Sequence, residues 1–326
     1  MLLSVIIPVY NVEKYIEKCI LSVVNNNLQV EDYEIIVIDD ESPDASVEIV
    51  KKMQKRYSQI KLLRQKNKGL GGARNTGIDN ASGQFIMFLD ADDYLNKSVL
   101  KDVLDFAVKF NLDILEYGAI GISEKGTEVY RHSESIEEIL SGFEYLVKLN
   151  SMNSACNKLY SVSFLNKYNL RFIEHIYMED VEFNTRAFYF AKKVKAIKII
   201  VSCFLQTSNS ITRNKDRVSH LKRIRDIEKV TDLINNFMNK VSCSNAGFNM
   251  IIKERIALLT LSLLYSLMNS SMSLEQRKII MNNLKKKKLY PVKTPVRKKD
   301  KNLFRVFVNN EFVYHQLCNI NQLIKS

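Results

Sequence analysis

FIMFLDADDYL, residues 85–95, is the stretch on which the fold turns. Phe85 to Leu89 are five apolar residues in a row, and Asp90, Asp92 and Asp93 follow at once. A short apolar run without alternation reads as a strand buried on both faces, as in a parallel sheet. In open α/β sheets, ligands sit beyond the carboxyl ends of the strands. Three carboxylates at such an end repel one another unless a cation or ligand lies among them. Two readings follow. One is a hard-metal site facing a phosphate; the other is a helix opening after Tyr94, with Asp92 or Asp93 as its N-cap.

Working outward, the segments before it repeat the same design. LSVIIPVY (3–10) reads as a first buried strand, and Val12 to Val24 has helical periodicity. YEIIVIDDES (33–42) is a second strand ending in Asp39 and Asp40. SPDASVEIVKKMQKRY follows as an amphipathic helix, then IKLLRQ (60–65) as a short strand. NKGLGGARNTGIDNA is glycine-rich, then helical, and leads into FIMFL. The order β-α-β-α-β-loop-α-β predicts an α/β fold with a mostly parallel, doubly wound sheet. Beyond Asp93 the pattern gives a helix around Val99–Phe110, a strand at Asp113–Gly118, a helix at GFEYLVKL and a strand at Lys195–Phe204. From Ser219 to about Leu284 it is helical, so a boundary near residue 215 divides an α/β domain, 1–215, from a helical, basic region, 216–326.

Composition limits the function classes. With 326 residues, 46% of them hydrophobic, the chain has ample core and no disorder bias. The five cysteines are scattered without a CxxC, and read as reduced, mostly buried thiols of a cytosolic protein, not a zinc site. Met1 leads straight into the first strand, with no signal-peptide pattern. IALLTLSLLYSLM (256–268) is too short to span a bilayer and reads as a core helix. The charge of +12 is uneven: residues 1–100 carry 12 Lys/Arg against 14 Asp/Glu, whereas residues 285–301 carry nine Lys/Arg against one Asp, a net of +8. That run is a solvated surface or an anionic-membrane contact; no nucleic-acid motif accompanies it, and a nucleic-acid partner is not expected.

Four features line up: VIIPVYN at the first strand end, VIDDES at the second, KGLGGARNTGI before the fourth and FLDADD at its end. Together with CNKLYSVSFL and IYMEDVEFNTRA they resemble glycosyltransferase family 2, non-processive bacterial members, over residues 1–213, with NSIT (209–212) the last matching piece. The resemblance implies the GT-A fold and an inverting, metal-dependent transfer of one sugar. The donor would be a nucleotide-diphosphate sugar, UDP-linked by expectation, and the acceptor a glycan or lipid-linked glycan of cell-surface polysaccharide synthesis.

The roles it implies fall on named residues. Asp39 and Asp40 would accept the base N–H and sugar hydroxyls, where the alternative is an Asx-turn or helix cap. Pro8, Tyr10 and Asn11 would line the same pocket. Gly71, Arg74 and Asn75 belong to a loop over the nucleotide, with Arg74 near the diphosphate or, alternatively, in a salt bridge to a strand-end aspartate. Asp90-Ala91-Asp92 matches the DxD motif: Asp92 on Mn²⁺ or Mg²⁺, Asp90 beside it on the ribose or a metal-bound water, and Asp93 capping the next helix. Asp180 matches the general base, with Glu179 as its understudy, although Asp180 is also an apt N-cap. His175 reads as a surface or core residue; His132, His220 and His315 lack ligand-like spacing, with His220 left open as a third metal ligand.

Departures from the family also count. The chain has no tryptophan and no credible membrane span, which disfavours the polymerising members. CFLQTS stands where many members carry an aromatic-and-arginine run, so the clamp on that side differs. A sugar nucleotidyltransferase and a non-catalytic sugar-binding scaffold remain as rivals. The expected location is cytoplasmic, at the inner face of the plasma membrane through residues 285–301.

Overall fold

Strand β1 (Leu3–Val9) is buried along its whole length, and it sits in the middle of the parallel half of the sheet. In the computed structural model all residues are described except 150, 208–215, 242–245, 271 and 326. The chain divides into two compact units, residues 1–207 and 208–326. The expected boundary at 215 and the NSIT segment lie outside the described residues, as does Cys243.

In the first unit, β1 pairs in parallel with β2 (Tyr33–Asp39) on one side and β4 (Phe85–Phe88) on the other, while β3 (Ile60–Arg64) pairs with β2. The spatial order 3-2-1-4 places the topological switch between β1 and β4, where a crevice opens at the strand carboxyl ends. Helices α1 (Ile16–Val24), α2 (Ser46–Gln54) and α3 (Gly69–Asp79) make the crossovers. The apolar face of α1 (Ile16, Cys19, Ile20, Val23) joins a core built on β1, β2 and β4, as its 3.6-residue periodicity requires.

The sheet continues past β4, and there it becomes mixed. β8 (Lys158–Ser161) runs antiparallel to β4 and to β6 (Ile114–Ser123), β6 lies parallel to β9 (Val194–Gln206), and β7 (Glu128–His132) hairpins onto β6. The two-residue β5 (Tyr94–Leu95) pairs antiparallel with β9. This corrects the N-cap reading of Asp92 and Asp93. The residues after the aspartates form a strand, the next helix α4 (Leu100–Lys109) starts later with Val99 as N-cap, and Asp93 accepts the Leu205 N–H at 2.7 Å. Helices α5 (Gly142–Lys148), α6 (Val162–Lys167) and α7 (Glu179–Phe190) complete the unit.

The second unit is all-helical among its described residues: α8 (Arg217–Val241), α9 (Ala246–Met268), α10 (Leu274–Lys286), α11 (Lys299–Val308) and α12 (Glu311–Lys325). No helix among the described residues is long and apolar enough to cross a membrane. Ile256–Met268 lies inside α9, whose Leu261, Leu263, Leu264 and Leu267 are buried.

Candidate active site

The carboxyl ends of β1, β2 and β4 and the start of α7, all in the first unit, carry the polar groups that the sequence singles out. Pro8 is buried in β1 opposite Ile38, and the strand gives out at Tyr10, which is exposed, and Asn11, which takes a left-handed φ of 57°. The loop that follows is laced to the loop after β2. The Asn11, Val12 and Glu13 N–H groups reach Ser42 Oγ, Ser46 Oγ and Asp44 Oδ2, and the Ala45 N–H returns to Glu13 Oε2.

Asp39 and Asp40 are both buried beneath this lacing. Asp39 accepts the Ser42 N–H, three residues on, at 2.9 Å and the Arg64 Nε–H at 2.9 Å; this is neither the two-residue spacing of an Asx-turn nor the cap of the next helix, whose N-cap is Ala45. Asp40 Oδ1 accepts from Gln65 Nε2 at 2.7 Å and from the Lys68 N–H at 2.8 Å, tying β2 to the entrance of α3.

The glycine-rich stretch is helix, not loop: Gly69, Gly71 and Gly72 form the first turn of α3. Gly71 serves packing, since a Cβ there would stand 2.5 Å from the Ile173 carbonyl oxygen. The segment 172–178 thus lies directly on α3. Asn75 fixes it by exchanging two hydrogen bonds with the Phe172 backbone, at 2.9 and 2.7 Å, and the His175 N–H reaches the Lys68 carbonyl.

Arg74 is the hub. Its side chain is 1% exposed; Nη1 donates to Glu179 Oε1 (2.8 Å) and Asp180 Oδ1 (2.5 Å), and Nη2 donates to Asp90 Oδ1 (2.8 Å). The guanidinium also lies against the rings of Phe88 and Phe172, the latter stacked on Phe183. One cation therefore faces three carboxylates, and the salt-bridge alternative for Arg74 is the arrangement observed. Burial opposes its charge, yet Asp180 and Asp90 carry its pKa above the ordinary arginine value.

Asp180 is not the N-cap of α7. Met178 holds that place in a left-handed conformation, which frees the carboxylate of Asp180 to turn into the cleft. Its Oδ2 accepts the Ala155 N–H at 3.0 Å. Burial raises its pKa, Arg74 draws it down, and Asp90 pushes it up again, leaving it above the ordinary aspartate range. Glu179, more deeply buried, is pushed up to about 7 by burial and by Asp180. The pair titrates as a unit.

This has a sign for stability. Glu179 binds its proton more tightly folded than unfolded, so its contribution is complete below pH 4.5 and is lost as pH rises to about 7. Urea unfolding at a series of pH values should show this decline, and Glu179→Gln should flatten it.

Asp90 and Asp92 flank buried Ala91, with Asp90 about one third exposed and Asp92 half-buried. Among the described residues no cluster of three or more His, Cys, Asp or Glu is arranged to hold a metal ion. The donor set offered is thus one or two carboxylates in a site with excess negative charge. That suits a hard divalent cation whose remaining oxygen ligands come from a diphosphate and water. His220 is outside this set: its Nε2 bonds the Ser266 carbonyl within the helical unit.

A second polar cluster was not anticipated. Glu116 on β6 is buried among His132, Tyr145, Ser151, the Met152 N–H, Asn157 and Lys158. Lys158, wholly buried, spends its ammonium on the carbonyls of Met152 and Ser154 and on Asn157 Oδ1, each at 2.8 Å. Burial alone would raise the Glu116 pKa, but Lys158 and these donors bring it down to about 2. The cluster sets the course of residues 151–157, the segment that hands the Ala155 N–H to Asp180. The sequence signal was present: Glu116 and Lys158 are single charges within apolar runs, and buried charges need partners.

Comparison with known proteins places the chain in a family and matches its fold. A family model described as "Glycosyl transferase family 2" matches residues 4–168, about half of the chain. EpsJ of Bacillus subtilis, an uncharacterized glycosyltransferase, is 35% identical over 65% of this chain and 63% of its own length. A poly(ribitol-phosphate) beta-glucosyltransferase of Bacillus spizizenii is 32% identical over 60% of this chain but 30% of its own length. The chain thus spans less than two thirds of these relatives. The crystal structure of S. aureus TarS in complex with UDP-GlcNAc superposes with a TM-score of 0.76, covering 100% of this chain and 92% of that one at 22% identity, a likeness of fold.

Proposed function

The chain belongs to glycosyltransferase family 2, and on that premise we propose that it transfers a single sugar from a nucleotide-diphosphate donor to a glycan or lipid-linked acceptor with inversion. The observation that carries this reading is the Arg74 cluster. It joins Asp90, at the end of the central parallel strands, to Glu179 and Asp180, at the start of a helix from the other half of the sheet. Donor-side and acceptor-side carboxylates thereby meet across one guanidinium.

In this reading the lower part of the cleft, from Pro8, Tyr10 and Asn11 to Asp39 and Asp40, receives the nucleoside. Asp92 would hold Mn²⁺ or Mg²⁺ against the donor diphosphate, with Asp90 beside it on the ribose or a metal-bound water. When bound, the ion supplies Lewis-acid neutralisation of the departing diphosphate. Asp180 takes the proton of the acceptor hydroxyl as its oxygen bonds to the anomeric carbon and the bond to the diphosphate breaks. The raised pKa makes Asp180 a stronger base than a solvent-exposed aspartate. Arg74 and the Ala155 N–H fix the orientation of its two oxygens. A single displacement by one base inverts the anomeric centre.

A UDP-sugar is the favoured donor, because the fold neighbour TarS was crystallised with UDP-GlcNAc. A polyol-phosphate or polysaccharide acceptor is supported by the names of relatives such as the poly(ribitol-phosphate) beta-glucosyltransferase. We assign this chemistry to residues 1–207. We also place the enzyme at the inner face of the plasma membrane, held by the basic run 285–301.

The test is a screen of nucleotide sugars with Mn²⁺, reading nucleotide diphosphate release. UDP release supports transfer; pyrophosphate released in a parallel incubation with a nucleoside triphosphate and a sugar 1-phosphate would mean nucleotidyl transfer instead. Asp92→Ala should cut turnover by about a hundredfold or more. Unchanged turnover in that variant, with and without chelator, would remove the metal from the scheme.

A further inference from the structure

The helical unit carries an apolar face turned outward. On α11, Leu303, Val306 and Phe307 lie on one stripe at spacings of three and four, and all are exposed, Leu303 by 60%. On α12, Phe312 (by 72%) and Ile320 are exposed as well. The opposite side of this pair is ordinary core. Val308, Tyr314 and Cys318 are buried, and Phe304 meets Tyr265 of α9 edge to face. An amphipathic helix normally turns its polar face to water, and here large apolar side chains occupy it.

The same piece carries the basic run. The strap 290–297 is fastened to α11 from within: Tyr290 Oη donates to the Val308 carbonyl at 2.7 Å, Asn309 exchanges two bonds with Val292, and Arg305 donates to the Val292 carbonyl. Of the nine basic residues in 285–301, Lys285, Lys287 and Arg297 pair with acids, and Lys301 lies over the Tyr265 ring. Lys286, Lys288, Lys293, Lys298 and Lys299 have no acidic partner among the described residues, and all five are exposed. Lys299 stands at the head of the Leu303 stripe, one turn before it.

We propose that the exposed apolar side chains of α11 and α12, together with the exposed Lys293, Lys298 and Lys299, dock on an anionic lipid surface, burying Leu303, Val306, Phe307 and Phe312 at the headgroup boundary. Charge complementarity selects this occupant. A second copy meeting this face would bring two sets of unpaired lysines together, whereas anionic headgroups neutralise them and the acyl boundary takes the apolar side chains. The proposal rests on the membrane placement given above, adding an inserted element to it, and is independent of the transfer chemistry.

The test is sedimentation of the full chain with vesicles of phosphatidylcholine alone or mixed with phosphatidylglycerol. Binding is expected only to the mixed vesicles, with a part that survives raised salt. Leu303→Ser/Phe307→Ser/Phe312→Ser and Lys293→Glu/Lys298→Glu/Lys299→Glu should each weaken it at least about tenfold, with thermal unfolding unchanged. Because the chain has no tryptophan, Phe312→Trp supplies a second readout, in which fluorescence should shift to the blue and be quenched by brominated lipid. Serine variants binding like the wild type, or a tryptophan that keeps its aqueous emission on bound vesicles, would overturn insertion while leaving a purely electrostatic contact. No binding to either vesicle would overturn both. A concentration-dependent dimer lost in the serine variant would reassign the face to self-association.

Discussion

Asp180→Asn is expected to lower kcat by about 10²–10⁴-fold, the usual worth of a positioned general base, with little change in KM for the donor. The substitution keeps the shape of the side chain, with one oxygen that can accept from the Ala155 N–H or from Arg74 Nη1 but not from both. It removes one of three carboxylates that share a single guanidinium. The folded chain should therefore melt at the same temperature or higher, because the excess negative charge in the cleft is a cost to stability borne for function. A fall in kcat with a steady or raised melting temperature identifies the base. A variant that loses both would show Asp180 holding structure alone. The acid limb of kcat/KM should follow the Glu179–Asp180 pair, and Glu179→Gln should move it to lower pH while retaining turnover.

Lys158→Met should produce the largest loss of stability, about 3–5 kcal/mol, the range for leaving a buried charge without its partner. Glu116 would remain 2% exposed with its cation gone. Met152 and Ser154 would lose the ammonium that both their carbonyls share. For a unit of this size the fall in melting temperature should be roughly 10 °C. Adding Glu116→Gln should cost less than the sum of the single changes, because the two side chains belong to one network. A double-mutant cycle by thermal and urea unfolding reads this directly; additive losses would mean that the two charges are held independently.

Much of the first half was legible because it is repetitive. Apolar runs ending in acids, separated by amphipathic segments, leave little choice but a parallel sheet, and β1, β2, β3 and β4 fall where the pattern puts them. The second half was harder for physical reasons. β5 has two residues, β7 is almost wholly exposed, and β8 is four residues long and opens on Lys158, so none offers a hydrophobic period. Their pairing is decided by partners distant in sequence. The candidate site divides in the same way. Asp90, Asp92, Glu179 and Asp180 stand out as acids at element ends, whereas the place of Arg74 depends on which loops approach it. The left-handed Met178 has no signature in the chain, yet it decides that Asp180 faces the cleft and not the helix backbone.

The contacts that close this cleft join residues far apart along the chain: Arg74 to Glu179 across 105 positions, and Asp93 to Leu205 across 112. Closing such long loops costs entropy before any contact offsets it, so these pairings form late in folding. During synthesis the parallel half, through residue 89, can assemble while the α7 and β9 segments are still unmade. The Arg74 cluster is therefore among the last parts of the unit to form, completed only after α7 has emerged, and the strand that follows the three aspartates is clipped in place later still, by β9.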